Sequence, residues 1–181
     1  MLITEIHLKG CYVLEPKIFE DERGIFFESY KKNEFEQVTG HSIDFVQHNQ
    51  SISKRGVLRG LHLQTGEHAQ SKLITVIMGE VLDVVVDFRK DSKTFGQHYK
   101  LKLSGSNKKS IFIPKGMAHG FLTLSEEAIF AYNCDDYYHP ESESGILYSD
   151  DALNIDWEFP KEELILSEKD KNLPTLKEIY P

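Results

Sequence analysis

Apolar and polar positions alternate most cleanly in residues 79–88. Leu82, Val84, Val86 and Phe88 share one side, and Val81, Asp83, Val85 and Asp87 share the other. That period of two is the strand pattern, with one side pure core and the other mixing hydrocarbon with two carboxylates. Comparable short stretches recur at 44–51, 56–64, 71–78, 80–88, 97–104, 109–114, 119–125 and 128–135. Turn pairs such as Gly66-Glu67, Met78-Gly79, Asp91-Ser92 and Gly105-Ser106 separate them. Nearer the N-terminus, apolar runs at Leu2–Leu8 and Cys11–Leu14 break at Gly10, and Ile25–Tyr30 follows the turn Asp21-Glu22-Arg23-Gly24. Asn33 with Glu36 three residues on fits a capping box, which predicts a short helix over 34–39 stopped at Gly40. Residues 139–145 read as a polar loop. The tail, with Trp157 and Leu164-Ile165-Leu166, is expected to wrap the body with one short helix. Many short strands without a long helix between them predict an all-β fold, an antiparallel jelly-roll barrel with short peripheral helices. No repeat or linker interrupts the chain, so residues 1–181 are read as a single domain.

One strand breaks the apolar rule. Arg59-Gly60-Leu61-His62-Leu63-Gln64, with Lys72 shortly after, puts four polar or charged groups where hydrocarbon is expected. An unpaired buried polar group costs roughly 1–3 kcal/mol, so such a cluster implies a polar cavity. A histidine on a rigid strand beside a cation suits proton transfer to and from carbon. Strict alternation would send Arg59 and His62 to opposite faces. Either Gly60 bulges or the site is shared between chains.

Composition narrows the class. The chain carries a net charge of −8, which argues against a general nucleic-acid binder, although a few placed cations could still hold a nucleotide. Cys11 and Cys134 form neither a metal spacing nor a disulfide framework. The opening residues MLITEIHLKG are too short and polar for a signal peptide, and no run approaches a membrane span. A cytoplasmic protein is expected.

A second motif, Pro114-x-Gly116-x-x-His119, is similar to the second half of the cupin-barrel pattern, in which the histidine is often a metal ligand. The first half would carry His-x-His and a following Glu, where this chain has His62-Leu63-Gln64 and a displaced Glu67. An amide is a poorer ligand than imidazole for transition metals, so no metal is assigned.

The chain as a whole resembles the dTDP-4-dehydrorhamnose 3,5-epimerase family, metal-free cupin-fold enzymes. The matching blocks are Asp21–Ser29, Phe45–Ser51, Val57–Gln64, Gly79–Arg89, Ile113–Phe121, Asp136-Tyr137-Tyr138 and Leu166–Asp170, in family order. The resemblance implies inversion of C3 and C5 of a dTDP-4-keto-6-deoxy sugar without a cofactor. It makes His62 the base, Tyr132 the acid and Lys72 the group that stabilises the enolate, with His119 nearby. Asp170 would orient His62, with Asp83 as a second candidate. Arg23, Phe26, Glu28, Gln47, Asn49, Arg59, Tyr138, Glu143 and Lys169 would hold the nucleotide sugar, some of them reaching in from the partner of a homodimer. The chain departs from the family pattern at His48 and Gln50, at Leu63 beside the histidine and at Asn133. A single-centre epimerase, a metal-dependent cupin enzyme and a non-catalytic sugar-nucleotide binding module are the competing readings.

Overall fold

The computed structural model describes residues 1–180. In chain order the strands are β1 (Leu2–Glu5), β2 (Tyr12–Glu15), β3 (Ile18–Asp21) and β4 (Gly24–Phe27), then helix α1 (Lys32–Thr39). They continue with β5 (Gln47–Lys54), β6 (Leu58–Gln64), β7 (Lys72–Met78), β8 (Glu80–Asp87), β9 (His98–Ser104), β10 (Ser110–Ile113), β11 (Met117–Thr123), β12 (Glu127–Cys134) and β13 (Glu143–Gly145). Two four-residue helices, α2 (Glu168–Lys171) and α3 (Leu176–Ile179), close the described chain. A six-stranded sheet runs β1-β2-β10-β7-β12-β5, a five-stranded sheet runs β13-β6-β11-β8-β9, and β3 with β4 forms a separate hairpin. All of these strand pairs are antiparallel, as the jelly-roll reading expects.

The alternation along the strands builds three packed layers. Inward positions such as Ile74, Val76, Val81, Val85, Phe121 and Phe130 meet between the two sheets. The other side of β8, with Leu82, Val84, Val86 and Phe88, packs under the tail against Ile146, Leu153 and Trp157. The outer face of the six-stranded sheet, through Leu14, Leu73 and Phe112, is covered by Phe35 of α1. Fully burying side chains of this size contributes about 1.5–3 kcal/mol each, so a short helix of modest propensity is held by its one buried aromatic.

Several local expectations are corrected. Helix α1 starts at Lys32, and its N-cap is Lys31 without a side-chain cap bond. Asn33 therefore lies inside the first turn and does not cap it. Glu36 instead accepts from the Ser42 hydroxyl at 2.7 Å. The stop at Gly40 holds, with φ 72° and its N–H on the Glu36 carbonyl. The stretch 139–145 is not a plain loop, because Glu143–Gly145 pairs with Gln64–His62 as the edge of the five-stranded sheet. The tail has two short α-helices and a 3₁₀ turn at Lys161–Glu163 where one short helix was expected. Ser167 caps α2 and Thr175 caps α3, the latter in a full capping box.

Candidate active site

Strand β6 carries the site, and its irregularity is what assembles it. His62 stands opposite His119, and Arg59 stands opposite Phe121, with a register shift between the two pairs. Gly60 and Leu61 thus share the single facing residue Gly120, a β-bulge that returns Arg59 and His62 to one face. The bulge demands glycine. Gly60 has φ 115°, and a Cβ there would sit 2.7 Å from both the Gly120 Cα and the His119 carbonyl oxygen. The Gly60–Leu61 peptide is cis.

Between the sheets lies a cavity of about 300 Å³, lined by Arg59, His62, Lys72, His119, Tyr132 and Asp170 among others. An adjoining hollow of about 380 Å³ shares His62, Lys72 and Tyr132 and extends to Gln47, Asn49, Tyr138 and Glu143. Lys169 lines the first of these. Eleven of the fourteen residues singled out in the sequence meet here. Phe121 and Phe130, stacked at 3.9 Å, line its apolar wall. Neither carries a polar signal in the sequence, although Phe130 shares the parity of Tyr132.

His62 Nε2 lies 2.6 Å from Asp170 Oδ1. An ionised carboxylate only accepts, so Nε2 carries the proton and Nδ1 is the basic atom. Burial alone would raise the Asp170 carboxyl, but His62, the Ser167 hydroxyl and the Gly60 N–H together outweigh it and hold the value below that of a free aspartate. Asp170 is 4% exposed despite its charged sequence neighbourhood. Asp83 is not the partner of His62. It faces His119, whose Nε2 is 2.8 Å from Asp83 Oδ2.

Across the cavity, Lys72 Nζ stands 5.9 Å from the centre of the Tyr132 ring. Burial lowers the Lys72 ammonium below the ordinary lysine value, although the negative charges of Glu143 and Asp83 oppose the shift. Burial likewise raises the Tyr132 phenol, which keeps it protonated through the neutral range. Tyr132 pairs in register with Asn49. At the mouth, Glu143 accepts from the Tyr138 hydroxyl at 2.6 Å and meets Lys169 Nζ at 2.5 Å. Burial raises the Glu143 carboxyl, but those two partners more than reverse it. Arg59 Nε donates to the Ser53 hydroxyl at 3.2 Å.

Of the positions that correspond to cupin metal ligands, Gln64 and Glu67 are engaged or displaced. The Nε2 atoms of His62 and His119 each face a carboxylate. The Gln64 amide donates to the His68 and Tyr137 carbonyls and accepts from the His139 N–H. Glu67 lies in a 3₁₀ turn after β6. That leaves the two Nδ1 atoms as donors, one short of the three protein ligands of an open centre.

Three predicted binding residues lie apart. Arg23 and Phe26 line a shallow hollow on the β3–β4 hairpin, and neither borders the central cavity. Arg23 is bound to Asp21 at 2.6 Å, and Glu28 is paired with Lys31 at 3.1 Å. The hairpin exposes Ile18, Phe19, Ile25 and Phe26 together.

The family model described as dTDP-4-dehydrorhamnose 3,5-epimerase matches residues 5–178. The chain is 50% identical to dTDP-4-dehydrorhamnose 3,5-epimerase of Salmonella typhimurium over 97% of this chain and 96% of that protein. Among solved structures, the same-named protein of Elizabethkingia anophelis superposes with a TM-score of 0.96 at 50% identity, covering 98% of this chain and 97% of that one. A dTDP-6-deoxy-D-glucose-3,5-epimerase of Legionella pneumophila in complex with dTDP-4-keto-L-rhamnose gives 0.92 at 48% identity, covering 97% and 93%. The jelly roll, its bulged strand β6 and the cavity behind it thus belong to a chain that is a member of the dTDP-4-dehydrorhamnose 3,5-epimerase family.

Proposed function

We propose that this chain inverts C3 and C5 of dTDP-4-dehydro-6-deoxy-D-glucose to give dTDP-4-dehydro-L-rhamnose, a step of nucleotide-sugar biosynthesis in the cytoplasm. The observation that carries this reading is the convergence on one cavity of the His62–Asp170 pair, Lys72 and Tyr132. The C4 ketone acidifies the C–H bonds at C3 and C5. His62 removes such a proton at Nδ1, and Asp170 fixes the tautomer and stabilises the imidazolium that forms. Lys72 donates to the developing enolate oxygen, with His119 beside it, an arrangement whose loss costs about 10²–10³ in rate. Tyr132 returns a proton to the opposite face of the carbon, which inverts the centre. Protons alone are exchanged, so the chemistry calls for no cofactor.

Gln47, Asn49, Arg59, Tyr138, Glu143 and Lys169 hold the nucleotide sugar along the cavity and its mouth. Arg23, Phe26 and Glu28 reach the site of a second subunit in a homodimer. The exposed apolar face of the β3–β4 hairpin supports that placement, since a sheltered partner surface would cover it. Incubation with dTDP-4-keto-6-deoxyglucose in D₂O tests the reading. Deuterium is expected at both C3 and C5, whereas incorporation at one carbon alone would reassign the chain to single-centre epimerisation.

A further inference from the structure

Outside the central cavity, His68, Asp136 and His139 form a second constellation of ligating groups. One ligand atom from each lies within 4.8 Å of the other two. The imidazoles stack with centroids 3.5 Å apart and planes 12° from parallel. His68 Nδ1 is 3.7 Å from Asp136 Oδ2, and Glu141 Oε1 is 3.1 Å from His139 Nδ1, which places a second carboxylate against the group.

The main chain around this group is fixed before any ion arrives. Buried Gln64 donates to the His68 carbonyl at 2.7 Å and the Tyr137 carbonyl at 3.1 Å, and it accepts from the His139 N–H at 2.6 Å. Gln70 donates to the Asp136 carbonyl at 2.7 Å. Two amides thus clamp the 66–70 turn to the 136–139 segment, so the main chain already holds the three side chains together, and the stacked imidazoles need only turn for both lone pairs to point at one ion. None of the three lines the cavity that holds His62 and Tyr132.

From this juxtaposition we infer that His68, His139 and Asp136 form a surface site for a divalent transition-metal ion of the zinc class. Two imidazoles and a carboxylate are the donors such an ion prefers, and water completes its coordination. The bound ion cross-links the turn after β6 to the segment carrying Tyr138, and so stabilises the folded chain by mass action.

Isothermal titration of tag-free, chelator-treated protein with zinc chloride tests this, alongside thermal unfolding with and without zinc. One ion per chain is expected, with a zinc-dependent rise in Tm. His139→Ala and Asp136→Asn should each weaken binding by about tenfold or more and abolish the Tm rise. His41→Ala, a change at an exposed histidine elsewhere, should leave both intact. The bonds that clamp the site use the His139 main chain, so these variants retain them. Turnover of the chelator-treated His139→Ala protein should match that of the chelator-treated parent. Absence of saturable zinc binding, or binding that persists unchanged in both variants, would overturn the site.

Discussion

His62 Nε2 and Asp170 Oδ1 meet at 2.6 Å although the two residues are 108 positions apart in the chain. One is presented by a central strand, the other by a single turn of helix in the tail. That turn is pinned from both ends. Ser167 caps it by accepting from the Asp170 N–H at 3.1 Å, and Asp170 in turn engages Gly60 of the bulge.

Replacing Asp170 with Asn puts an amide, which can donate as readily as accept, where an acceptor-only carboxylate stood, so the Nδ1-basic tautomer of His62 is no longer enforced and the imidazolium loses its counter-charge. The kcat should fall by about 10²–10⁴-fold with a much smaller change in KM. Steady-state kinetics on a variant shown by circular dichroism to be folded would measure this. An unchanged kcat would remove Asp170 from the mechanism.

His62 and Tyr132 act on opposite faces, so their variants should differ in kind. In D₂O, His62→Ala should lose both deuterium uptake and inversion. Tyr132→Phe should still exchange the substrate proton through His62 while inversion falls by about 10²–10⁴-fold. Mass spectrometry with NMR of the recovered sugar separates the two outcomes. Inversion at the parental rate in Tyr132→Phe would exclude the phenol as acid.

Burial lowers Lys72, and its charged form is the one that stabilises the enolate. Raising the pH neutralises it, so the rate should fall along an alkaline limb that begins below the ordinary lysine value. Tyr132 is shifted upward and does not supply that limb. Lys72→Arg should move the limb to higher pH, because guanidinium stays protonated. Lys72→Met should cost about 10²–10³ in kcat. A pH–rate profile identical in Lys72→Arg and the parent would dissociate Lys72 from the limb.

Gly60→Ala should destabilise the protein by roughly 2–4 kcal/mol, since it combines a positive φ with a backbone clash. Gly40→Ala shares the positive φ, but nothing lies within 4 Å of its added carbon. It should therefore cost less. Urea unfolding midpoints compare the two, and equal losses would show that the Gly60–Gly120 approach is unimportant.

Subunit sharing can be read by mixing two crippled chains. His62→Ala and Arg23→Ala protomers, each weak alone, should recover activity when unfolded and refolded together. One mixed dimer then has a site with His62 from one chain and Arg23 from the other. Failure to recover, with dimers present by light scattering, would place Arg23 in its own chain's site or in none.

Much of this was legible in the chain. The period of two along Val81–Phe88 gave both faces of β8, because a strand side chain can only alternate. The polar run Arg59–Gln64 announced a cavity, because those groups need partners once buried. Gly40 stopped its helix because little else takes that φ cheaply. The bulge was foreseen only as one of two options, since a register shift depends on what Gly120 presents from the neighbouring strand. Local sequence also misassigned the cap at Asn33, where Lys31 is held by Glu28 and Glu34 in space.

Tertiary structure alone decided the pairings. Nothing local distinguishes Asp83 from Asp170 as the partner of His62, because the choice depends on where a distant tail docks. Nor could spacing reveal that Gln64 clamps two loops, or that His68 and His139 stack 3.5 Å apart. Strand periodicity is a short-range property of the backbone, so the sequence carries it openly. Which charge meets which is settled only when segments far apart in the chain are brought into contact by burial of the core.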